Sequence, residues 1–509
     1  MLFVFDCGSQ YSGNLARRLE LLGVPFVMKK EFDAGDTLRD LSGFIISGSP
    51  SSVHDSDAPK IPAEIWTYGL PVLGICYGMQ VMAQQLGGRV EQSKHSSYGV
   101  STLITSATAA IGGWLPPHES RVWMSHGDSV VKFPPGFALG GNSLDISVIA
   151  TMTDAKRKFY GLQFHPEVEH TENGDAWLAA FARVCGIAPL DAGWEGASKQ
   201  SIFETLKAQV APRVANRVGI VAVSGGVDST TLAVFCQKLG AKLHCIFVDN
   251  GLLREGERDQ VMQALDACGL VELECVDAAR DFLHALKGVT EPDAKRVVIG
   301  REFARVLAAK AHALGAEWMG QGTLASDVIE SGHAGGAAIK RHHNVGGMPE
   351  DFPLELVEPF RKLYKDQVRA LAEYLGVPSA LTWRHPFPGP GLAIRVAGAV
   401  TAERLESVRA ADAIFVEELR ERDLYSKCAQ AFAVLLEGRS VGVTGDARAY
   451  KEVVCLRAVS TSDYMTADWV ALDKSVLDAI SSRITNEVPS IGRVLFDITQ
   501  KPPATIEWE

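Results

Sequence analysis

With 509 residues, 61 acidic against 50 basic side chains and a net charge of −11, the chain is too long for one ordinary domain and too acidic for a general nucleic-acid binder. Its composition, 47% hydrophobic and 22% charged, is that of a soluble globular protein, and no stretch is long and apolar enough to cross a bilayer. The nine cysteines, at 7, 76, 185, 236, 245, 268, 275, 428 and 455, are odd in number and lack the close pairs of zinc sites or disulfide frameworks; with an opening too short for a signal peptide, they point to a reducing cytoplasm.

Residues 2–5 read as a buried strand, 12–22 as an amphipathic helix and 44–46 as a second strand running into Ser47-Gly48-Ser49-Pro50. Alternating strands and helices predict a parallel α/β sheet. The next apolar strand stops at Cys76, and a helix is expected over residues 79–86. Gly74 and Gly78 relieve crowding in the turn between them, so the thiol sits at a strand-to-helix elbow, where the helix start gives it a reason to ionise. Another strand, from Phe159, ends in Gln163-Phe164-His165-Pro166-Glu167. Alternate strand residues share a side, so His165 and Glu167 fall together, and Pro166 keeps the segment out of a helix. The carboxylate can fix the tautomer of an imidazole that takes the thiol proton. A buried cysteine, or a histidine at a strand end, is more often ordinary packing; the elbow and the His-Pro-Glu run together argue for chemistry.

Gly-Ile-Cys-Tyr-Gly-Met-Gln at 74–80 with His-Pro-Glu at 165–167 resembles the class I glutamine amidotransferases. The resemblance implies that Cys76 attacks the side-chain amide of glutamine, that His165 serves as base and then acid, and that Glu167 orients it. It also implies an oxyanion and glutamine pocket at Gly48, Tyr77 and Gln80, with backbone N–H groups of Tyr77 and the Gly48 loop facing the oxyanion. The family usually carries Gly-Gly where this chain has Gly48-Ser49. Trp123-Met-Ser-His-Gly-Asp128 resembles the stretch that borders the pocket, although its residues alone read equally well as a polar turn.

Residues 188–199, rich in Gly, Ala, Pro and Ser without periodicity, mark a boundary between expected domains at 1–190 and 196–390. After a helix over 202–210, the apolar run 218–223 leads into Ser224-Gly225-Gly226-Val227-Asp228-Ser229-Thr230 and a helix over 231–239. The glycines let backbone approach an anion, the helix-start N–H groups and the hydroxyls suit phosphate oxygens, and Asp228 suits a magnesium ion. No lysine follows the glycines, so this is not a Walker loop; a helix-capping Ser/Gly turn is the plainer alternative. The loop resembles the signature of the ATP pyrophosphatases, which cut ATP between its α and β phosphates and adenylylate a substrate. Adenine and ribose are expected along 247–249, Val248 included, where a second buried strand ends. Lys295 and Arg296 place positive charge at a helix start, which an anionic ligand would relieve. Lys340, after a Gly/Ala stretch, reads as a lid residue able to reach pyrophosphate.

The Pro/Gly-dense run 384–391 makes a rigid connection. Helices over 403–422 and 477–486 and strands at 432–435, 453–457 and 493–497 predict a small α+β domain, and the polar tail 501–509 would fray unless it had a task. In this order the features resemble the glutamine-hydrolysing GMP synthetase family, which His-Pro-Phe-Pro-Gly-Pro-Gly at 385–391 and the terminal motif Lys-Pro-Pro-Ala-Thr-Ile-Glu-Trp-Glu at 501–509 separate from other amidotransferases and pyrophosphatases. The resemblance implies two parallel-sheet α/β domains, an amidotransferase and an adenine-nucleotide α-hydrolase-like pyrophosphatase, and a domain at 391–509 that dimerises and helps bind XMP. It implies a homodimer using Mg-ATP, adenylylation of XMP, displacement of AMP by ammonia, and XMP contacts from Arg296, Lys501 and Glu507. An NAD synthetase-like or tRNA-thiolating pyrophosphatase would share 224–230 but has no reason to carry both Cys76 and the terminal motif. A non-enzymatic nucleotide sensor would have lost Cys76, Asp228 or Lys340.

Overall fold

The apolar runs at 2–5, 44–46 and 218–223 are the inner strands of two sheets. The computed structural model describes residues 1–32, 38–144, 148–190, 199–325, 327, 354–444, 447–461 and 464–509, with backbone alone at 93–96, 444 and 447; Lys340 lies outside the described residues. Two compact units result. The first is Met1–Gly196 with Thr461–Ala467 and Gln500–Ala504; the second is Ala197–Ser460, Asp468–Thr499 and Thr505–Glu509. The segments expected at 196–390 and 391–509 thus fall mostly in one unit, because they share a core: Ile246 and Val248 are buried in one cluster with Leu392, Val408, Phe415 and Ala431.

In the first unit, β1 (Leu2–Phe5), β2 (Phe26–Lys29), β3 (Gly43–Ile46), β4 (Val72–Ile75) and β9 (Phe159–Leu162) are parallel, in the order β2-β1-β3-β4-β9. The sheet continues antiparallel through β8 (Ile149–Asp154), β7 (Ala138–Ser143), β5 (Arg89–Thr105) and β6 (Glu119–Lys132). Alternation along β1 sends Leu2 and Val4 into one core with Leu15 and Leu19 of α1 (Ser12–Leu21), and Phe3 and Phe5 into another with Met79 and Met82 of α2 (Tyr77–Gln85). Both faces are therefore covered, as a parallel sheet requires.

In the second unit, β10 (Val218–Ala222), β11 (Lys242–Asp249), β12 (Leu273–Asp277), β13 (Trp318–Gly320) and β14 (Glu355–Val357) form a parallel sheet in the order β12-β11-β10-β13-β14. Further on, strands Gln430–Thr444 and Ala447–Ser460 pair as a long antiparallel hairpin, with Ile491–Phe496 parallel to the second of them. No helix among the described residues is long and apolar enough to cross a membrane.

Candidate active site

Cys76 ends β4 and precedes the first residue of α2, at φ +52° and ψ −104°. Such a backbone costs a non-glycine residue about 1–3 kcal/mol and persists only where its surroundings enforce it. The surroundings here are glycines. A Cβ at Gly74 would lie 2.5–2.6 Å from the backbone of Gly78, and a Cβ at Gly78 would collide with the carbonyl of Ile46. The helix starts at Tyr77, two residues earlier than its apolar spacing predicts, which puts the thiol at the helix end itself.

β4 and β9 are neighbours, with Ile75 opposite Leu162 and the Cys76 N–H donating to the Leu162 carbonyl at 2.6 Å. That register brings the Gln163-to-Glu167 segment beside the thiol. Gln163 Nε2 is 3.7 Å from Cys76 Sγ, and the thiol reaches the Ser125 carbonyl at 3.5 Å. His165 Nδ1 is 2.8 Å from Glu167 Oε1, and both residues are 2% exposed. Burial by itself disfavours an imidazolium, but the Glu167 carboxylate, and then the Cys76 sulfur, outweigh it and push His165 up to about 10. The ring is thus protonated at neutral pH, facing a sulfur. His165 Nε2, Glu167 Oε2 and Gln163 Oε1 are buried without a hydrogen-bond partner among the described residues.

Gly48 follows β3 at the same edge of the sheet. A Cβ there would stand 3.0 Å from His165 Cε1 and 3.2 Å from Ser9 Oγ, so close approach rather than φ is what calls for glycine. Neither Gly48 nor Ser49 has a positive φ, and Ser49 in place of a glycine is therefore unstrained. Tyr77, as the first helical residue, has an N–H with no intrahelical acceptor. Gln80 is buried, and its Nε2 donates to the Asp128 carbonyl at 2.8 Å. The segment 123–128 is the middle of β6 rather than a turn, paired to β5 with Tyr98 opposite Ser125 and Ser97 opposite His126. Burial holds His126 neutral, down to about 4, and Asp128 Oδ2 accepts from Ser52 Oγ at 2.5 Å. Sequence reasoning assigned nothing to Tyr11, whose ring stands 4.6 Å from that of His165 at 67°. Tyr11 also clusters with Trp123, Val168 and Met465.

In the second unit, the loop after β10 turns into the helix Val227–Lys238, so that Val227, Asp228, Ser229 and Thr230 form its first turn. Gly225 has φ +72°, and a Cβ there would meet Val261 at 2.7 Å. Ser224 N and Oγ each lie 3.1 Å from Ser229 Oγ. Ser224 is exposed, Asp228 and Ser229 are half-buried, and Thr230 is wholly buried. Backbone of Gly322 presses close, since a Cβ on it would sit 3.2 Å from the Asp228 backbone. Val248 lies near the end of β11 with its side chain in the core. An unforeseen neighbour is Arg384, which donates to the Gly225 carbonyl at 3.5 Å and pairs with Glu257.

Arg296 lies in the first turns of the helix Pro292–Leu314 and donates to the Glu509 carbonyl, while the buried Lys295 pairs with the Glu509 carboxylate. The chain's own tail thus answers charge that, from sequence, called for an anionic ligand. Glu507 accepts from Arg395 Nη2 at 2.9 Å and Nε at 3.2 Å, and from Gln430 at 2.5 Å. Arg457 donates to the carbonyls of Thr505 and Ile506 at 2.9 and 2.8 Å, which keeps the tail from fraying. Lys501 belongs to the first unit, where its Nζ donates to the Tyr464 carbonyl at 2.6 Å. Arg296 and Glu507 share the second unit.

Comparison with known proteins gives two family matches, "Glutamine amidotransferase class-I" over residues 3–185 and "GMP synthase C terminal domain" over residues 417–508. A relative from Thermus thermophilus, named "GMP synthase [glutamine-hydrolyzing]", is 48% identical, with all of each chain covered. One of the same name from Alkalilimnicola ehrlichii is 47% identical over 100% of this chain and 98% of its own. Among solved structures, a glutamine amidotransferase from Methylobacillus flagellatus is 24% identical at a TM-score of 0.29, covering 33% of this chain and 70% of that one.

Proposed function

The chain belongs to the glutamine-hydrolysing GMP synthases, and from that premise we propose which of its residues perform each step of making GMP from XMP, ATP and glutamine. The observation that carries the proposal is the buried set of Cys76, His165 and Glu167 at the ends of two adjacent parallel strands. The Cys76 thiolate attacks the glutamine amide carbon. The oxyanion meets the N–H groups of Tyr77 and the Gly48 loop, and the protonated His165, held by Glu167, gives its proton to the departing ammonia. With His165 now acting as base, water releases glutamate.

The ATP chemistry belongs to the loop 224–230. Backbone N–H groups at the start of the helix Val227–Lys238 and the Ser224 and Ser229 hydroxyls receive phosphate oxygens, with adenosine along residues 247–249. Thr230 belongs to this set by sequence, and Lys340 is the proposed lid residue. An all-oxygen donor set of one carboxylate and nearby hydroxyls fits magnesium, which commonly takes a single carboxylate plus substrate phosphates; Asp228 would hold it, and it would neutralise pyrophosphate charge. The O2 oxygen of XMP attacks the α-phosphorus, pyrophosphate leaves, and ammonia then displaces AMP. Arg296 and Glu507, the latter acting through Arg395, are assigned to XMP; Lys501 is assigned to its phosphate on motif grounds alone. We further propose the functional division 1–190, 196–390 and 391–509, a homodimer formed through the last of these, and a cytoplasmic location consistent with nine free thiols. The test is a stoichiometry: each GMP formed should come with one AMP, one pyrophosphate and one glutamate, and release of ADP and phosphate instead would reject the adenylylation route.

A further inference from the structure

An imidazole that relays a proton must keep its ring pointed, and the hydrogen bonds of His165 settle only part of that orientation. Nδ1 is fixed by Glu167 at 2.8 Å, whereas Nε2, the atom that must exchange a proton with Cys76, is buried with no hydrogen-bond partner among the described residues. A ring held at one nitrogen can still rock about that bond. Its Cε1 corner is closed by Gly48. One of its walls is Tyr11, 1% exposed, whose ring centroid is 4.6 Å away at an interplanar angle of 67°, an edge-to-face geometry favoured between aromatic rings.

Tyr11 is itself pinned. Its N–H donates to Ser9 Oγ at 3.0 Å, and its carbonyl accepts from the Leu15 N–H at 3.0 Å as α1 begins. Its hydroxyl accepts from Trp123 Nε1 at 3.4 Å. The strand of Trp123 leads straight back to the chemistry: the Trp123 carbonyl accepts the His165 N–H at 3.0 Å, and the carbonyl of Ser125, two residues on, is the partner of the Cys76 thiol at 3.5 Å. The titratable groups acting on His165 are Glu167, Cys76 and His126.

We propose that Tyr11 is a positioning residue for glutamine hydrolysis: its ring holds the His165 imidazole with Nε2 directed at Cys76. The inference rests on the assignment of Cys76, His165 and Glu167 as the hydrolytic set.

The experiment measures glutamine hydrolysis, ammonia-dependent GMP synthesis and the pH dependence of Cys76 alkylation by iodoacetamide in full-length Tyr11→Leu, Tyr11→Phe and Cys76→Ala proteins. Tyr11→Leu should lower kcat for glutamine by about tenfold to a hundredfold, the scale on which small misplacements of reacting groups act. KM for glutamine and ammonia-dependent synthesis should stay near wild type, and the alkylation profile should move to higher pH. Tyr11→Phe keeps the ring and should stay within about threefold of wild type with an unmoved profile. An unchanged kcat in Tyr11→Leu, a loss of ammonia-dependent synthesis in parallel, or a Tyr11→Phe protein as impaired as Tyr11→Leu overturns the inference. Cys76→Ala separates the premise: a Cys76→Ala protein that still hydrolysed glutamine would sink the hydrolytic set and this inference with it, whereas an inert one beside an active Tyr11→Leu sinks this inference alone.

Discussion

Glu167→Gln is nearly isosteric and removes one charge next to a buried ring. His165 is held up to about 10 from an ordinary 6.5; at about 1.4 kcal/mol per tenfold, that is a net preference of roughly 5 kcal/mol for the charged ring, left after Glu167 and then Cys76 have outweighed the cost of burial. Breaking a buried ion pair by removing one partner costs roughly 3–5 kcal/mol. The variant's ring should therefore lose its proton roughly two to four pH units lower than wild type, so that near neutrality it is largely uncharged. Glutamine hydrolysis should fall by about a hundredfold to ten-thousandfold, while synthesis from added ammonia stays intact. Stability carries its own signature. A raised folded-state value means that the contribution of His165 is fully present below 6.5 and is lost as pH rises towards about 10. Wild type should accordingly lose melting temperature across that window more steeply than Glu167→Gln. Steady-state glutaminase assays and melts across the window read both. A Glu167→Gln protein with wild-type hydrolysis and a parallel melting profile would refute the electrostatic account of the pair.

Asp228→Asn should abolish synthesis from glutamine and from ammonia alike, because pyrophosphate charge is no longer held; a variant that still exchanges labelled pyrophosphate into ATP with XMP present at the normal rate would remove Asp228 from the ATP site. Lys501→Ala should weaken XMP by about tenfold to a hundredfold if a charge-assisted hydrogen bond to phosphate is lost, with little change for ATP. Calorimetry decides it: unchanged XMP affinity would remove Lys501 from the XMP site.

What was legible in the sequence was local. The elbow at Cys76 could be read because two glycines and an apolar run lie within a few residues of it, and the pairing of His165 with Glu167 because strand alternation operates over three positions. Helix starts were placed too late at 77 and 227 because Gly78 and the Ser-Gly-Gly run weigh against helix on propensity, while the turn geometry is imposed by neighbouring strands. The run 123–128 read equally well as a turn because Ser, His, Gly and Asp are poor strand formers; pairing with β5 overrides that preference. Tyr11 was invisible because its meaning depends on the strand order that sets the end of β1 beside the ends of β3, β4 and β9. The same holds for Arg395 and Lys295, whose partners Glu507 and Glu509 lie more than a hundred residues away in sequence. At the start of the helix Pro292–Leu314, Lys295 pairs with the Glu509 carboxylate and Arg296 donates to the Glu509 carbonyl.

The central claim is that one thiol releases the nitrogen and a separate nucleotide site uses it. The most direct measurement is GMP formation by Cys76→Ala with glutamine or with ammonium as the nitrogen source. The structure predicts no detectable synthesis from glutamine and wild-type synthesis from ammonium, with AMP released in step with GMP. Equal loss from both sources in a folded protein, or retained synthesis from glutamine, would contradict it.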